Sequence, residues 1–132
     1  MSLRYHYTSL RPFEALLGLT ITEITGMAKD SGEITFDTSD GRQFVLYHEQ
    51  DCCESVYVAD VTGDVADLIG EPILLAEASV SEATGDACPD YGTGTWTFYK
   101  LATRKGYVDI RWLGESNGYY SESVDFAEVT GK

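Results

Sequence analysis

Apolar and polar residues alternate along most of the chain, and a period of two predicts β-strands. Ile34 and Phe36, for example, are separated by a threonine and followed by an aspartate. Asp40-Gly41 favours a two-residue primed turn, so the strands on either side of it should pair as an antiparallel hairpin. The predicted strands cover residues 20–28, 33–37, 42–49, 55–61, 73–80, 95–102, 107–113 and 119–128.

Two short segments between these strands predict helices of one or two turns. Pro12 suits the first turn of a helix over residues 13–17, and Gly18 is a natural left-handed stop. Asp64 can cap a second helix over residues 65–69. The chain therefore combines many strands with two short helices.

Turn sequences in the second half of the chain predict a three-stranded antiparallel meander. Residues 104–106 (Arg-Lys-Gly) should connect the strands at 95–102 and 107–113. Asn117-Gly118 should then reverse the chain into the strand at 119–128. In this arrangement the last three strands are neighbours in one sheet.

The fold class that accounts for these elements is α+β, mostly β. We expect a single twisted or partly closed antiparallel-rich sheet with two short helices. A length of 132 residues fits one domain, covering 1–132. Glycine and proline over residues 81–94 predict a mobile loop, and we expect residues 1–11 to form a flexible N-terminal segment.

Three strings in the sequence are distinctive: YHEQDCCE at 47–54, TWTFYK at 95–100 and GESNGYYSE at 114–122. They resemble a family of small phage and bacterial proteins of unknown function, and the similarity runs from Phe13 to Glu128. The resemblance implies a phage or prophage source. It implies no activity and no site residue, because the family has no established function.

Charge narrows the range of partners. The chain has 22 Asp and Glu against nine Lys and Arg, which gives a formal charge of −13. Such a charge repels nucleic acid and anionic membrane surfaces, so we expect no direct nucleic-acid or membrane binding. No run of 18 apolar residues exists, and the N-terminus lacks the apolar region of a secretory signal. We therefore expect a cytoplasmic location, which is the host cytosol if the chain is phage-encoded.

The cysteines favour a structural role. Three cysteines, two of them adjacent, do not make the even framework of a small secreted scaffold, so we expect them to be reduced. His48, Cys52 and Cys53 are ligand types for zinc, but adjacent cysteines on an extended chain point to opposite faces. We therefore expect no metal and no cofactor, with one cysteine packed in the core and His48 in a satisfied hydrogen bond. A metal site on these three residues stays open as an alternative, as do a strained vicinal Cys52–Cys53 disulfide or redox switch and catalysis by a cysteine with His48 as base.

Charges are segregated along the chain. Residues 43–99 contain eleven Asp and Glu and no Lys or Arg, whereas residues 96–112 contain four cations and one acid. Aromatic residues lie on the same basic hairpin, and planar cations beside aromatic faces suit an anionic, base-containing ligand such as a nucleotide. The alternative is a core hairpin whose aromatic rings are buried and whose cations pair with surrounding acids.

Alternation along the basic hairpin separates a core face from a candidate ligand face. It places Val108, Ile110 and Trp112 inward and leaves Tyr107 and Arg111 on the opposite face, with Asp109 between them. Tyrosines beside the turn at residues 117–118 favour a protein or subunit contact, and hence a homo-oligomer. The candidate ligand-binding residues are Tyr99, Lys100, Arg104, Tyr107, Arg111, Tyr119 and Tyr120.

These observations predict a small non-enzymatic binding protein of phage type, with no catalytic residue. The leading hypothesis is that it sequesters a small anionic, nucleotide-like ligand near Arg111. The alternative is an acidic interaction module whose carboxylates imitate a nucleic-acid backbone and block a basic host protein.

Overall fold

The computed structural model describes residues 8–50, 53–82, 93–116 and 121–130. Strands dominate these residues, and no helix among them is long and apolar enough to cross a membrane. The strands are β1 (Thr8–Leu10), β2 (Ile21–Thr25), β3 (Glu33–Thr38), β4 (Gln43–Tyr47), β5 (Ser55–Thr62), β6 (Leu75–Glu82), β7 (Thr93–Thr103), β8 (Gly106–Ser116) and β9 (Asp125–Val129).

The strands form two antiparallel sheets rather than one. A five-stranded sheet has the order β1-β9-β4-β3-β2, and a four-stranded sheet has the order β5-β8-β7-β6. Neither sheet closes on itself. The predicted α+β class with a single sheet is therefore wrong, because the described residues form two sheets and contain no α-helix.

The predicted helices are single 3-10 turns. They cover Phe13–Leu16 and Val65–Leu68; left-handed Gly18 lies just beyond the first, and extended Ile69 directly follows the second. The cap at Asp64 is confirmed, because its carboxylate accepts a hydrogen bond from the backbone N–H of Ala66 at 3.0 Å. Four residues make only one turn, which is too short to stabilise an α-helix.

One hydrophobic core joins the two sheets, and Trp112 of β8 is its largest fully buried side chain. A series of aromatic contacts connects the two sheets. Phe126 of β9 stacks on Phe44 of β4 at 5.4 Å between ring centroids, and its edge meets Phe13 at 5.2 Å. Phe13 in turn contacts Tyr99 of β7 at 4.7 Å. The sheets therefore pack through shared side chains rather than as separate units.

The predicted meander is wrong in its last strand. The loop of Arg104 and Lys105 joins β7 to β8 as expected, but β9 pairs with β4 and β1 in the other sheet. Phe126 is buried on one face of β9 and Ala127 on the other. Such two-sided burial suits a central strand of the five-stranded sheet, and β8 already has β5 and β7 as neighbours. The turn at residues 117–118 lies outside the described residues.

Two segments that the sequence assigned to loops are partly strands. Residues 8–10, in the predicted flexible N-terminal segment, form β1 beside β9. Within the predicted loop at 81–94, the first two residues end β6 and the last two begin β7. Residues 1–7 and 83–92 lie outside the described residues.

Glu122 fixes the chain where it crosses from one sheet to the other. Its buried carboxylate accepts hydrogen bonds from the hydroxyls of Thr93 and Ser116 and, at 2.7 Å, from Thr95. A Cβ on Gly114 would lie 2.6 Å from the backbone oxygen of Glu122, so only glycine allows this approach. Burial alone would raise the pKa of Glu122, but the three hydroxyl donors outweigh it and hold the pKa below its ordinary value.

We expect Glu122→Gln to lower the free energy of unfolding at neutral pH by about 1 kcal/mol or more, because the amide binds the hydroxyls less strongly. A lowered folded-state pKa stabilises the protein above the unfolded-state pKa and loses this effect as the pH falls through the folded value. The stability difference between wild type and variant should therefore shrink below about pH 4.5. Urea unfolding across the acid range measures it, with Glu23→Gln, which changes an exposed side chain of β2, as control. A difference independent of pH would contradict this role.

The hairpin of β3 and β4 is confirmed, but its turn differs from the predicted type. The backbone N–H of Thr38 donates to the carbonyl oxygen of Arg42 at 2.9 Å, so the loop contains the three residues 39–41, and of these only Gly41 has a positive φ, at 84°. This is the three-residue hairpin with a left-handed glycine at its end.

We expect Gly41→Ala to lower the free energy of unfolding by about 1 kcal/mol, because alanine resists a positive φ. Gly32→Ala is a matched control, since an added Cβ meets nothing within 4 Å at either position and Gly32 lacks the positive φ. Chemical denaturation measures both variants. Equal stability of the two would show that the turn conformation is assigned incorrectly.

Candidate functional site

The outward face of the four-stranded sheet carries the predicted ligand residues. On β8, Val108, Ile110 and Trp112 are buried in the core, which confirms the predicted inward face. Tyr107 is 58% exposed and Arg111 is also exposed on the opposite side. The period of two along β8 therefore separates core residues from surface residues as the sequence predicts.

Strand register aligns the outward side chains in two rows across all four strands. The first row, in the order β5, β8, β7, β6, is Asp60, Arg111, Phe98 and Ser79. The second row, in the same order, is Thr62, Asp109, Lys100 and Glu77. A bulge between Val58 and Asp60 shifts β5 by one residue and brings the Asp60 carboxylate opposite Arg111.

A depression of about 600 Å³ lies over these two rows, and we call it the outer-face groove. Its walls come from all four strands of the sheet. It is lined by Asp60, Thr62, Glu77, Ala78, Ser79, Phe98, Tyr99, Lys100, Asp109, Ile110 and Arg111.

Arg111 lies between an aromatic ring and a carboxylate. Its guanidinium carbon is 4.8 Å from the centroid of Trp96, and its Nη2 is 3.7 Å from Oδ2 of Asp60. Trp96 stacks on Phe98 at 6.3 Å between centroids. The side chains of Arg111 and Asp60 are each about half exposed, so this ion pair contributes roughly 0 to 1 kcal/mol. Breaking this ion pair therefore costs little.

Lys100 has a more acidic environment than Arg111. Its Nζ is 3.8 Å from Oδ1 of Asp109 and 5.7 Å from the ring centroid of Tyr107. On its other side in the second row is Glu77. Lys100 therefore stands between two carboxylates, whereas Arg111 has one carboxylate and one aromatic residue as its row neighbours.

The other predicted ligand residues do not offer an exposed side chain to this groove. Tyr99 borders it but is only 5% exposed, because its ring packs against Phe13 in the core. Burial, with a smaller contribution from the charge of Asp125, raises the pKa of Tyr99 well above its usual range. Arg104 lies at the β7–β8 turn and pairs with Glu71 at 2.7 Å. The predicted residues 119 and 120 lie outside the described residues.

The structure thus brings together Lys100, Tyr107 and Arg111, and adds residues that the candidate set omitted. Trp96 and Phe98 have the same parity as Lys100 on β7, so alternation along that strand would have placed them on the outer face and Tyr99 inside. Alternation along a single strand does not identify the carboxylates of β5 and β6 as neighbours of Lys100 and Arg111. They come to the groove only because β5 pairs with β8 and β6 with β7.

His48 forms a buried pair with Glu54, and neither residue lines the outer-face groove. The distance from His48 Nε2 to Glu54 Oε2 is 2.6 Å, and Nδ1 donates to the backbone oxygen of Ser123 at 2.7 Å. Both side chains are almost completely buried. The predicted satisfied hydrogen bond is confirmed, and neither ring nitrogen is free to bind a metal or to act as a base.

Cys53 is disulfide-bonded, so the expectation of reduced cysteines is wrong for this residue. A sulfur in a disulfide is neither a thiolate nucleophile nor a thiolate metal ligand. Cys52 and Cys88 lie outside the described residues. Within the described part of the chain, no three His, Cys, Asp or Glu side chains are grouped to hold a metal ion. The metal-site and catalytic alternatives for this cluster therefore lack a free ring nitrogen on His48 and a thiolate on Cys53.

A model of one protein family matches residues 14–126, which is most of the chain. The chain belongs to the family described as Domain of unknown function (DUF7448). The DUF7448 match spans nearly the same residues as the similarity noted from the sequence, and it includes both rows of the outer-face groove. No curated protein and no solved structure matches the chain.

We expect the oxidised protein, unfolded in denaturant, to take up one iodoacetamide label, because one disulfide leaves one of three cysteines free. After reduction it should take up three. Cys53→Ser should take up two labels without reductant, because its partner is freed. Intact mass measures the labels, and three labels on the unreduced wild type would show that the disulfide is absent.

Proposed function

We propose that this protein is a non-enzymatic binding protein whose outer-face groove holds a small anionic, nucleotide-like ligand. The observation that carries the proposal is the placement of two exposed cations, Lys100 and Arg111, with the ring of Phe98 in one depression. Its volume of about 600 Å³ lies within the range of roughly 300 to 1,000 Å³ typical of small-molecule sites.

Arg111 and Phe98 supply complementary contacts for such a ligand. The planar guanidinium can donate two parallel hydrogen bonds to a phosphate or carboxylate, and an exposed aromatic ring can stack on a base. The pair of Arg111 with Asp60 is longer than a direct hydrogen bond, at 3.7 Å. Arg111 therefore has donors to offer to an anion without breaking a strong contact.

In the cell, we propose, this protein acts as a phage or prophage protein that sequesters a host nucleotide. The sequence resemblance supports the phage source, and the charge of −13 supports a protein that avoids nucleic acid itself. A cytosolic location is part of this proposal, and the disulfide at Cys53 removes the support that reduced cysteines would have given it.

A second candidate is the acidic interaction module. The groove contains three carboxylates, from Asp60, Glu77 and Asp109, against two cations. This excess of negative charge favours a basic protein partner, and exposed Phe98 and Tyr107 are residue types common at interfaces.

We expect nucleotides to raise the thermal midpoint of the wild type in a salt-sensitive manner, and Arg111→Ala to abolish the shift. At a ligand concentration of about 100 times Kd, binding adds roughly 2.7 kcal/mol to stability. Without ligand, Arg111→Ala should cost roughly 0 to 1 kcal/mol, because its ion pair is exposed. Thermal shift with a panel of nucleotides, cyclic dinucleotides and ADP-ribose derivatives measures both effects.

Arg104→Ala is the matched control, since it removes an exposed arginine that pairs with Glu71 at the β7–β8 turn and does not line the groove. It should keep the ligand-induced shift. A wild type that shows no shift with any compound at millimolar concentration would refute the ligand proposal. Binding to a basic protein that is weakened by Asp60→Asn would then favour the interaction module.

A further inference from the structure

We infer that the outer-face groove selects a dipolar ligand, with one compact anionic group at the first row and a hydrogen-bond-donating group at the second. The inference rests on the proposed function and names the ligand class for the same site. It points to a nucleoside monophosphate whose base carries an amino group, rather than to a polyphosphate.

The first row provides the anion site. Asp60 balances the charge of Arg111 at one end, and the remaining positions toward β6 are the uncharged Phe98 and Ser79. No carboxylate follows Arg111 on that side of the row. An anionic group beside Arg111 therefore meets a cation and a neighbouring ring, and a hydroxyl donor lies two strands, about 10 Å, further along the row.

The second row favours a hydrogen-bond donor over an anionic group. Lys100 stands between Asp109 and Glu77, so this row has two carboxylates and one cation. A second or third phosphate placed here is repelled, whereas an N–H donor meets carboxylate oxygens that accept hydrogen bonds. The row therefore rejects extended anions that the first row alone would accept.

The spacing of the rows sets the size of the ligand. Positions two residues apart on a strand are separated by about 7 Å, and adjacent strands by about 4.8 Å. From Arg111 to Glu77 the ligand must cross two strands and one row, which is about 12 Å. A base stacked on Phe98 can direct an exocyclic amino group toward Glu77 while its single phosphate lies at Arg111.

Titration calorimetry with matched nucleotides tests the two halves of the inference. AMP and ATP share a base and differ in charge, and we expect ATP to bind roughly threefold more weakly because of repulsion across about 10 Å of water. CMP and UMP share size and charge, but cytosine has an amino donor where uracil has an acceptor. We expect CMP to bind more tightly than UMP.

Glu77→Gln/Asp109→Asn should abolish or reverse both preferences, because the two carboxylates of the second row lose their charge. Both side chains are at least partly exposed, so the variant should fold. Glu23→Gln, which changes an exposed side chain of β2 outside the groove, is the control for loss of charge alone, and it should leave both ratios unchanged.

The outcomes separate the inference from the proposed function. If no nucleotide binds, both fail. If nucleotides bind but ATP binds at least as tightly as AMP, or UMP at least as tightly as CMP, the dipolar ligand is refuted and the anion site at Arg111 stands. Ratios that the double variant leaves unchanged would likewise refute the role of the second row.

Discussion

Burial of one side of β8 is the constraint on which the rest of the structure depends. Trp112, Val108 and Ile110 lie between the two sheets, so the residues between them must point outward. A slip of one residue would place Arg111 in the core and Trp112 in water, which the hydrophobic effect forbids. The charge pattern of the groove is therefore fixed by core packing on the reverse side of the same strands.

The location of the groove on paired strands also fixes its geometry. Neighbouring strands hold each row of side chains in register, and the β7–β8 pair continues over eleven residues of each strand. Glu122 ties the end of this pair to the segment that leads into the other sheet. Sites built on strands in this way are more rigid than sites built on loops, so ligand selection here depends on charge placement rather than on loop closure.

Features defined within a few residues were predictable from the sequence. The β3–β4 and β7–β8 hairpins and the cap at Asp64 follow from turn and capping residues that act locally. Parity along a strand also identifies Arg111 as a surface residue. The division into two sheets was not predictable, because nothing near β9 indicates that it pairs with β4, some eighty residues earlier. The carboxylate opposite Arg111 depends on the same long-range pairing and, in addition, on the bulge before Asp60.

The two tryptophans of the chain occupy opposite faces of adjacent strands. Trp112 is fully buried in the hydrophobic core, and its indole N–H has no acceptor among the described residues. Trp96 is partly exposed and lies against the guanidinium of Arg111. The fluorescence of a single-tryptophan protein that keeps Trp112 therefore reports the integrity of the core, and that of one that keeps Trp96 reports events at the surface. The fold contains its own pair of optical probes, one for unfolding and one for occupancy.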